Sequence, residues 1–196
     1  MTNIQATHDL LISHGMLREQ NKEMGKAQRS IVQLPTFLKP QYKEALATTV
    51  LQCRDILAYG HTAQRGDHMP LAPSARQLLW ELQSGMTLRA LENASGLTNL
   101  FPDAHCAASG IVDWQTDAHI VRPVPLYGVL QPSAHLEILL HGDNAMITID
   151  GTPYTLAVGD AILLAYGGYT AAQRSGAAGT TSLVINYFTH SPAEAA

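Results

Sequence analysis

Short runs of alternating apolar and polar residues fill the C-terminal half of the chain, and turn residues separate these runs. Residues 141–144 and 150–151 contain Gly, Asn and Asp, which tolerate the positive φ that tight hairpins require. Short strands at this spacing are typical of an antiparallel sandwich or barrel. The pattern therefore predicts a β-barrel over residues 110–189.

Upstream of this region the apolar positions recur with the period of an amphipathic helix. We expect Ser74 to cap the second helix and Gly96 to end the third as a left-handed C-cap. An apolar run at residues 30–34, stopped by Pro35, predicts a strand ahead of the helices. The helices themselves are predicted at residues 40–57, 74–83 and 87–94.

Together these elements predict an α+β fold, namely a double-stranded β-helix of the jelly-roll or cupin type with an N-terminal helical layer. The 196 residues are enough for one domain with a substantial core. We expect a single domain over residues 30–190, with its helical part at 40–96 and its barrel at 110–189. Residues 1–29 are predicted to be an arm, either a short helix or a loose segment.

Composition excludes some classes of partner. The net charge is −4, and after Arg122 the only Lys or Arg is Arg174, which argues against a nucleic-acid groove in the barrel. The chain has no apolar run long enough to span a membrane. Only 14% of the residues are charged, which fits either a homodimer or a surface rich in Ser, Thr, Gln and Ala.

The two cysteines, Cys53 and Cys106, lie far apart in the sequence and form no C-x-x-C motif. They are therefore expected to be free thiols in a reducing compartment. The N-terminal residues lack the basic start and long apolar core of a signal peptide. The expected location is the cytoplasm.

Three segments carry a resemblance to a known family. Residues 31–40 (IVQLPTFLKP), 91–103 (LENASGLTNLFPD) and 181–188 (TSLVINYF) resemble the 2-oxoglutarate- and iron(II)-dependent oxygenases of the prolyl-hydroxylase-like type. In that family an H-x-D motif and a distal His bind iron, and an Arg on the final strand pairs with the far carboxylate of 2-oxoglutarate. The resemblance thus implies Fe(II) and 2-oxoglutarate as cofactors.

The family's functional residues are largely missing from the matching positions. The H-x-D motif falls at residues 115–117, where Gln115 replaces the His and only Asp117 is retained. The distal His falls near Thr170 and the Arg near Thr180. Gln is a poor iron ligand, and Thr cannot form the salt bridge to the cosubstrate. These three degenerate positions argue against ordinary 2-oxoglutarate turnover.

Other residues could rebuild a site. Asp117 and His119 share one face if they lie on a strand, and they are either a reversed ligand pair or part of a polar loop. His135 and Glu137 have the same spacing. They are either two metal ligands, an acid–base pair, or a solvent-facing polar pair opposite Leu136. The candidate catalytic residues are therefore Asp117, His135 and Glu137, and the candidate metal ligands are Asp117, His119 and His135.

Residues 136–160 also resemble a cupin hairpin unit, again without the expected His after its Gly-Asp turn. Three functions follow from these resemblances. The first is an oxygenase-like protein with a lost or remodelled iron site that binds a small molecule or supports a partner enzyme. The second is an active non-heme-iron oxygenase, or a cupin-type isomerase or lyase, with a rebuilt Asp/His/Glu site. The third is an interaction module with a charge-poor surface.

Overall fold

The described part of the chain forms two antiparallel sheets and a layer of helices. The computed structural model describes residues 10–15, 30–57, 71–104, 106–126 and 129–190. Its helices are α1 (Lys43–Gln52), α2 (Arg54–Leu57), α3 (Pro73–Leu82) and α4 (Gly85–Ser95). Its strands are β1 (Ile31–Leu34), β2 (Phe101–Pro102), β3 (Gly110–Asp113), β4 (Leu130–His141), β5 (Ala145–Ile149), β6 (Thr152–Leu156), β7 (Ala161–Ala165), β8 (Ala172–Ser175) and β9 (Thr181–His190).

The strand order is that of a jelly roll. The larger sheet runs β1-β7-β4-β9-β2, with β3 also paired to β9, and the smaller sheet runs β6-β5-β8. Residues 118–120 extend the smaller sheet beyond β8, because Arg174 N donates to Ala118 O at 2.6 Å and Ile120 N donates to Ala172 O at 3.0 Å. One hydrophobic cluster draws side chains from both sheets and fills the space between them. The predicted double-stranded β-helix is confirmed.

Strand β4 is buried on both faces. Leu136, Ile138 and Leu140 belong to the core shared with the helices, whereas Leu139 belongs to the cluster between the sheets. Because side chains alternate along a strand, His135 and Glu137 lie on the same face as Leu139. The polar pair therefore enters the barrel interior and not the solvent.

The helical layer follows the sequence pattern with shifted boundaries, except that the one helix predicted at residues 40–57 is two helices, α1 and α2, separated at Cys53. Helix α4 begins after Ser84, whose side chain accepts from Thr87 N at 3.3 Å, and ends at Gly96 with φ of 75°, as predicted. Helix α3 begins at Pro73 with Ala72 as its N-cap, so the prediction that Ser74 caps this helix is wrong. Proline favours the first helical position because its fixed φ suits the helix and it has no N–H to satisfy.

Part of the predicted arm is packed into the core. Leu11 and Ile12 are completely buried. The carboxylate of Glu81 on α3 accepts from Leu11 N at 2.9 and 2.8 Å and from Ile12 N at 3.0 Å. This segment also bridges to Leu38. The other residues of the arm prediction, 1–9 and 16–29, lie outside the described residues. None of the described helices has the length and apolar character of a membrane span.

Candidate functional site

The two sheets bring several polar side chains into the interior of the barrel. They come from β4, β8 and β9, and each occupies an inward position in the alternation of its strand. All of them are buried to at least nine-tenths of their surface, and they are His135, Glu137, Arg174, Ser182 and Asn186. Buried polar groups need partners from each other when water is excluded, and these residues form one connected network.

Glu137 lies at the centre of this network. Its Oε1 accepts from Arg174 Nε at 2.6 Å and from Ser182 Oγ at 2.5 Å. Its Oε2 lies 2.9 Å from His135 Nε2. Trp114 Nε1 donates to Ser182 Oγ at 2.9 Å and fixes that hydroxyl from the other side. The carboxylate is therefore held by three side chains that come from three different strands.

The charges in this network compensate each other. Burial alone would raise the pKa of Glu137. The Arg174 guanidinium and the hydrogen bond with His135 outweigh this effect and lower the pKa to about 2. Burial lowers the pKa of His135, and this effect exceeds the opposing effect of Glu137. Near neutral pH the site thus contains an ionised carboxylate and a neutral imidazole. Because an ionised carboxylate only accepts, Nε2 of His135 carries the proton and donates to it.

Arg174 also holds the chain segment that carries Asp117 and His119. Its Nη1 donates to Asp117 O at 2.7 Å and to His119 O at 3.1 Å. These two residues thus contribute backbone carbonyls to the interior, while their side chains are exposed. The two side chains are thus exposed and do not form an inward ligand pair, although His119 forms a β-bridge to Gln173 at the edge of the smaller sheet.

Tyr166 connects the network to the outside. Its hydroxyl donates to Asn186 Oδ1 at 2.8 Å and lies 3.3 Å from His135 Nδ1. Tyr166 is partly exposed, and the Arg122 guanidinium lies 5.7 Å from the centre of its ring. Tyr169 lies nearby, and the centres of the Tyr166 and Tyr169 rings are 6.3 Å apart. This end of the barrel therefore has two tyrosines between the buried network and solvent.

The Tyr169 hydroxyl lies at the same end of the barrel but is not hydrogen-bonded to this network. It is buried and has no hydrogen-bond partner among the described residues. Burial raises its pKa to about 12, so it stays protonated and can donate. A buried hydroxyl without a partner marks a place where a water molecule or a ligand atom would be stabilised.

The structure brings together some of the predicted site residues and separates the others. His135 and Glu137 are in contact and buried, so the solvent-facing alternative for this pair is wrong. Asp117 and His119 do not reach them with their side chains. Within the described ranges, no group of three or more His, Cys, Asp or Glu side chains is arranged to hold a metal ion. The predicted ligand set of Asp117, His119 and His135 therefore does not fit iron.

The three degenerate positions lie in turns around the barrel. Gln115 is exposed, and its backbone N donates to Asp113. Thr170 is exposed, and its backbone N and hydroxyl donate to the carboxylate of Asp150. Thr180 is buried and donates from its hydroxyl to Ala177 O at 2.7 Å. The hydroxyls of Thr170 and Thr180 thus have local roles in turns, whereas Gln115 contributes only its backbone N–H.

Sequence reasoning did not identify Arg174, Ser182 or Asn186 as site residues. One signal was available for Arg174, because it is the only Lys or Arg after Arg122. A lone cation in a strand-rich region is a good candidate for pairing with a lone inward carboxylate. Ser182 and Asn186 gave no such signal, because Ser and Asn are common on the exposed faces of strands.

Comparison with known proteins agrees with this architecture. No family model and no curated protein matches the sequence. Among solved structures, a prolyl-4-hydroxylase from Pseudomonas putida is similar with a TM-score of 0.52, 15% identity and coverage of 95% of this chain and 98% of its own. A prolyl 4-hydroxylase from Phytophthora capsici has a TM-score of 0.58, 11% identity and coverage of 96% and 67%. A viral collagen prolyl hydroxylase from Paramecium Bursaria Chlorella virus-1 has a TM-score of 0.52, 10% identity and coverage of 83% and 96%.

The chain therefore has the fold of these prolyl hydroxylases, in agreement with the fold that the family resemblance implied. At this level of identity the likeness is one of fold, so the chemistry has to be argued from the side chains inside the barrel.

Proposed function

We propose that this oxygenase-fold protein does not use iron chemistry and instead binds a small polar molecule at the tyrosine end of its barrel. The observation that carries the proposal is the buried ion pair of Arg174 with Glu137, at 2.6 Å. The Arg174 guanidinium thus pairs with the Glu137 carboxylate, which a metal ion would need as a ligand.

The geometry of this ion pair opposes a second cation. Iron(II) in such sites requires two imidazole nitrogens and a carboxylate with open positions beside them. Both oxygens of Glu137 are already occupied by donors, and the Nε2 of His135 is itself one of those donors. A divalent ion would also be repelled by the guanidinium in a medium of low dielectric constant.

Binding of a small molecule is supported by the other end of the network. The Tyr169 hydroxyl has no partner among the described residues, and Tyr166 is partly exposed beside it. A ligand atom that accepts a hydrogen bond would satisfy the Tyr169 donor and remove the cost of leaving it unpaired. We therefore favour ligand binding over the support of a partner enzyme, for which the described residues offer no specific feature.

The alternative of an active enzyme rests on the contact between His135 and Glu137. An acid–base pair works best when its pKa values lie near the working pH. Here the pKa of Glu137 is about 2, the pKa of His135 is lowered by burial, and both side chains are shielded from solvent. These shifts make the pair a poor proton carrier at neutral pH and favour the binding proposal.

Metal analysis combined with cosubstrate titration tests the first half of the proposal. We expect the purified protein to retain far less than one equivalent of iron after incubation with Fe(II). We also expect no saturable heat when 2-oxoglutarate is titrated in the presence of Mn(II), which replaces iron without redox chemistry. Stoichiometric iron together with saturable 2-oxoglutarate binding would contradict the proposal.

A thermal-shift screen of small polar molecules tests the second half. A molecule that binds at the barrel end should raise the melting temperature of the wild type and should lose this effect with Tyr169→Phe, which removes only the hydroxyl. Tyr154→Phe is the matched control, since Tyr154 also packs against the core between the sheets. If both variants respond as the wild type does, the ligand does not use Tyr169 and the assignment of the site is incorrect.

A further inference from the structure

A cleft outside the barrel interior lies between the loop after α4 and the ends of β4 and β9. Its volume is about 600 Å³, and it is open on one side. This volume lies within the usual range of sites for small molecules. The side chains that matter for its chemistry are Thr98, Asn99, Phe101, Ser133, Thr189 and His190.

Two local departures from regular structure shape the cleft. Asn99 has a φ of 57°, which turns the loop back after α4. The register of β4 against β9 shifts between Pro132 and Ala134, so Ser133 is the bulged residue. Bulges redirect side chains and occur often beside binding sites. The residues at these two irregularities, Asn99 and Ser133, both line the cleft.

The hydroxyls of Ser133 and Thr189 form an adaptable pair. They lie 2.7 Å apart, and either can donate to the other. Ser133 can instead donate to Gln131 O at 3.1 Å, and Thr189 then donates to Ser133. When Ser133 donates to Thr189, the Thr189 proton is available to a ligand. The pair can therefore either donate to or accept from a ligand hydroxyl, which itself does both.

An aromatic pair forms one side of the same cleft. The rings of Phe101 and His190 meet edge to face, with centres 4.6 Å apart and planes at 75°. Phe101 is 37% exposed, and His190 is exposed as well. Such a surface packs well against the apolar C–H face of a small saturated ring.

The cleft carries no strong charge. Among the described residues that line it, none is Lys, Arg, Asp or Glu. A charged ligand would have to lose water there without gaining an ionic partner, which is costly. The Thr98 hydroxyl and the Asn99 amide, both on exposed residues that line the cleft, offer neutral donors and acceptors instead.

We propose that this cleft binds a neutral polyhydroxylated ring, that is, a sugar. The ring would lie against Phe101 and His190, and its hydroxyls would be bound by the Ser133–Thr189 pair and by Asn99. This inference is independent of the function proposed for the barrel, because it uses none of the residues of the buried network.

Titration of the ¹⁵N-labelled protein with maltose, cellobiose and N,N′-diacetylchitobiose tests the proposal by NMR. With at least one of them we expect saturable shifts of the amides at residues 98–101, 133 and 189–190, with a millimolar Kd. Phe101→Ala should weaken that binding by about tenfold or more, and Thr189→Val, which keeps the shape and removes the hydroxyl, should weaken it by a few fold.

Two control variants make the result specific. Trp80→Ala removes an aromatic side chain that is 68% exposed elsewhere on the surface, and Thr152→Val removes an exposed hydroxyl on β6. Both should bind as the wild type does. The proposal is overturned if none of the three sugars gives saturable shifts up to about 50 mM, or if the control variants weaken binding as much as Phe101→Ala does. Neither outcome bears on the iron and 2-oxoglutarate test of the barrel.

Discussion

Glu137 is completely buried and ionised, which is costly for a carboxylate unless it is well compensated. Three donors compensate it here, and the Arg174 guanidinium among them also supplies the opposite charge. The guanidinium in turn is held by two backbone carbonyls from the segment of Asp117 and His119. Each partner is thus necessary for burial of the other, and this has measurable consequences.

Replacement of Arg174 by Met should destabilise the fold strongly. The variant fills similar space but leaves Glu137 buried without its cation, which typically costs about 3–5 kcal/mol. The double variant Arg174→Met/Glu137→Gln removes both charges and should recover most of this loss. The free energies of unfolding can be measured by urea denaturation.

The control for this prediction is the exposed ion pair of Arg54 and Asp113. Its side chains are 51% and 27% exposed, so Arg54→Met should cost less than about 1 kcal/mol. A loss for Arg174→Met as small as that for Arg54→Met would show that the buried pair is not needed for stability.

The same network predicts a dependence of stability on pH. The pKa of Glu137 falls from 4.5 to about 2 on folding, so its contribution is present above pH 4.5 and is lost as the pH falls through that window. The pKa of His135 is lowered from 6.5, so stability also falls as the pH drops below 6.5, because the unfolded chain takes up the proton first. The double variant Arg174→Met/Glu137→Gln should show a flatter profile below pH 4.5 when the free energy of unfolding is measured across this pH range by urea denaturation.

At the scale of elements, the structure shows which features are local and which depend on packing. Gly96 and the turn at residues 150–151 could be predicted because their backbone conformations depend on neighbouring residues alone, and both have the expected positive φ. Burial of His135 and Glu137 could not be predicted from the sequence. A polar face of β4 has the same sequence pattern whether it is covered by water or by a second sheet.

Arg174 illustrates the same limit. Its local sequence, AAQRSG, is typical of a polar turn. It becomes an interior residue only because β8 pairs with β5 on one side and residues 118–120 lie on the other. Those pairings join distant parts of the chain, so no short window of sequence contains them. The fold was therefore more accessible from sequence than the network inside it.

Helix α3 provides a prediction at this scale, because its buried Glu81 anchors the N-terminal segment. Glu81→Ala should remove the acceptor of Leu11 N and Ile12 N and cost about 2–4 kcal/mol, since two buried donors lose a charged partner. Glu81→Gln retains one acceptor oxygen and should lose less. Thermal and urea unfolding would measure both changes.

An exposed glutamate on a neighbouring helix is the control. Glu44→Ala lies in the first turn of α1 and should change the stability by no more than about 0.5 kcal/mol. If Glu81→Ala behaves like Glu44→Ala, then the segment at residues 10–15 does not depend on this carboxylate for its place in the core.

At the scale of the whole molecule, the side chains that form the core differ from those that determine the chemistry of the barrel interior. One face of strand β4 packs against the core shared with the helical layer, and its other face packs against the cluster between the two sheets. Apart from the Tyr169 hydroxyl, the buried polar side chains of the barrel are partnered by one another, and Arg174 forms an ion pair with Glu137. The polar chemistry of the barrel interior thus depends on a small number of side chains from β4, β8 and β9.

We predict that Arg174→His should raise the affinity of the barrel for divalent metal above that of the wild type. The Nε2 of an imidazole at this position would stand close to the present Nε of Arg174, which is 2.6 Å from Glu137 Oε1. His135 already lies 2.9 Å from the other oxygen of the carboxylate. Two imidazoles and one carboxylate would then face each other without a competing cation, which is a suitable ligand set for Zn(II) or Co(II).

Titration with Co(II) measures this affinity. The Arg174→His variant should give d–d absorption bands, and the wild type should give none. Arg174→Gln is the control, because it removes the charge without adding an imidazole, and it should give no bands either. Bands of equal strength in the Gln variant would show that removal of the charge alone is enough, and bands in the wild type would show that the guanidinium does not exclude the metal.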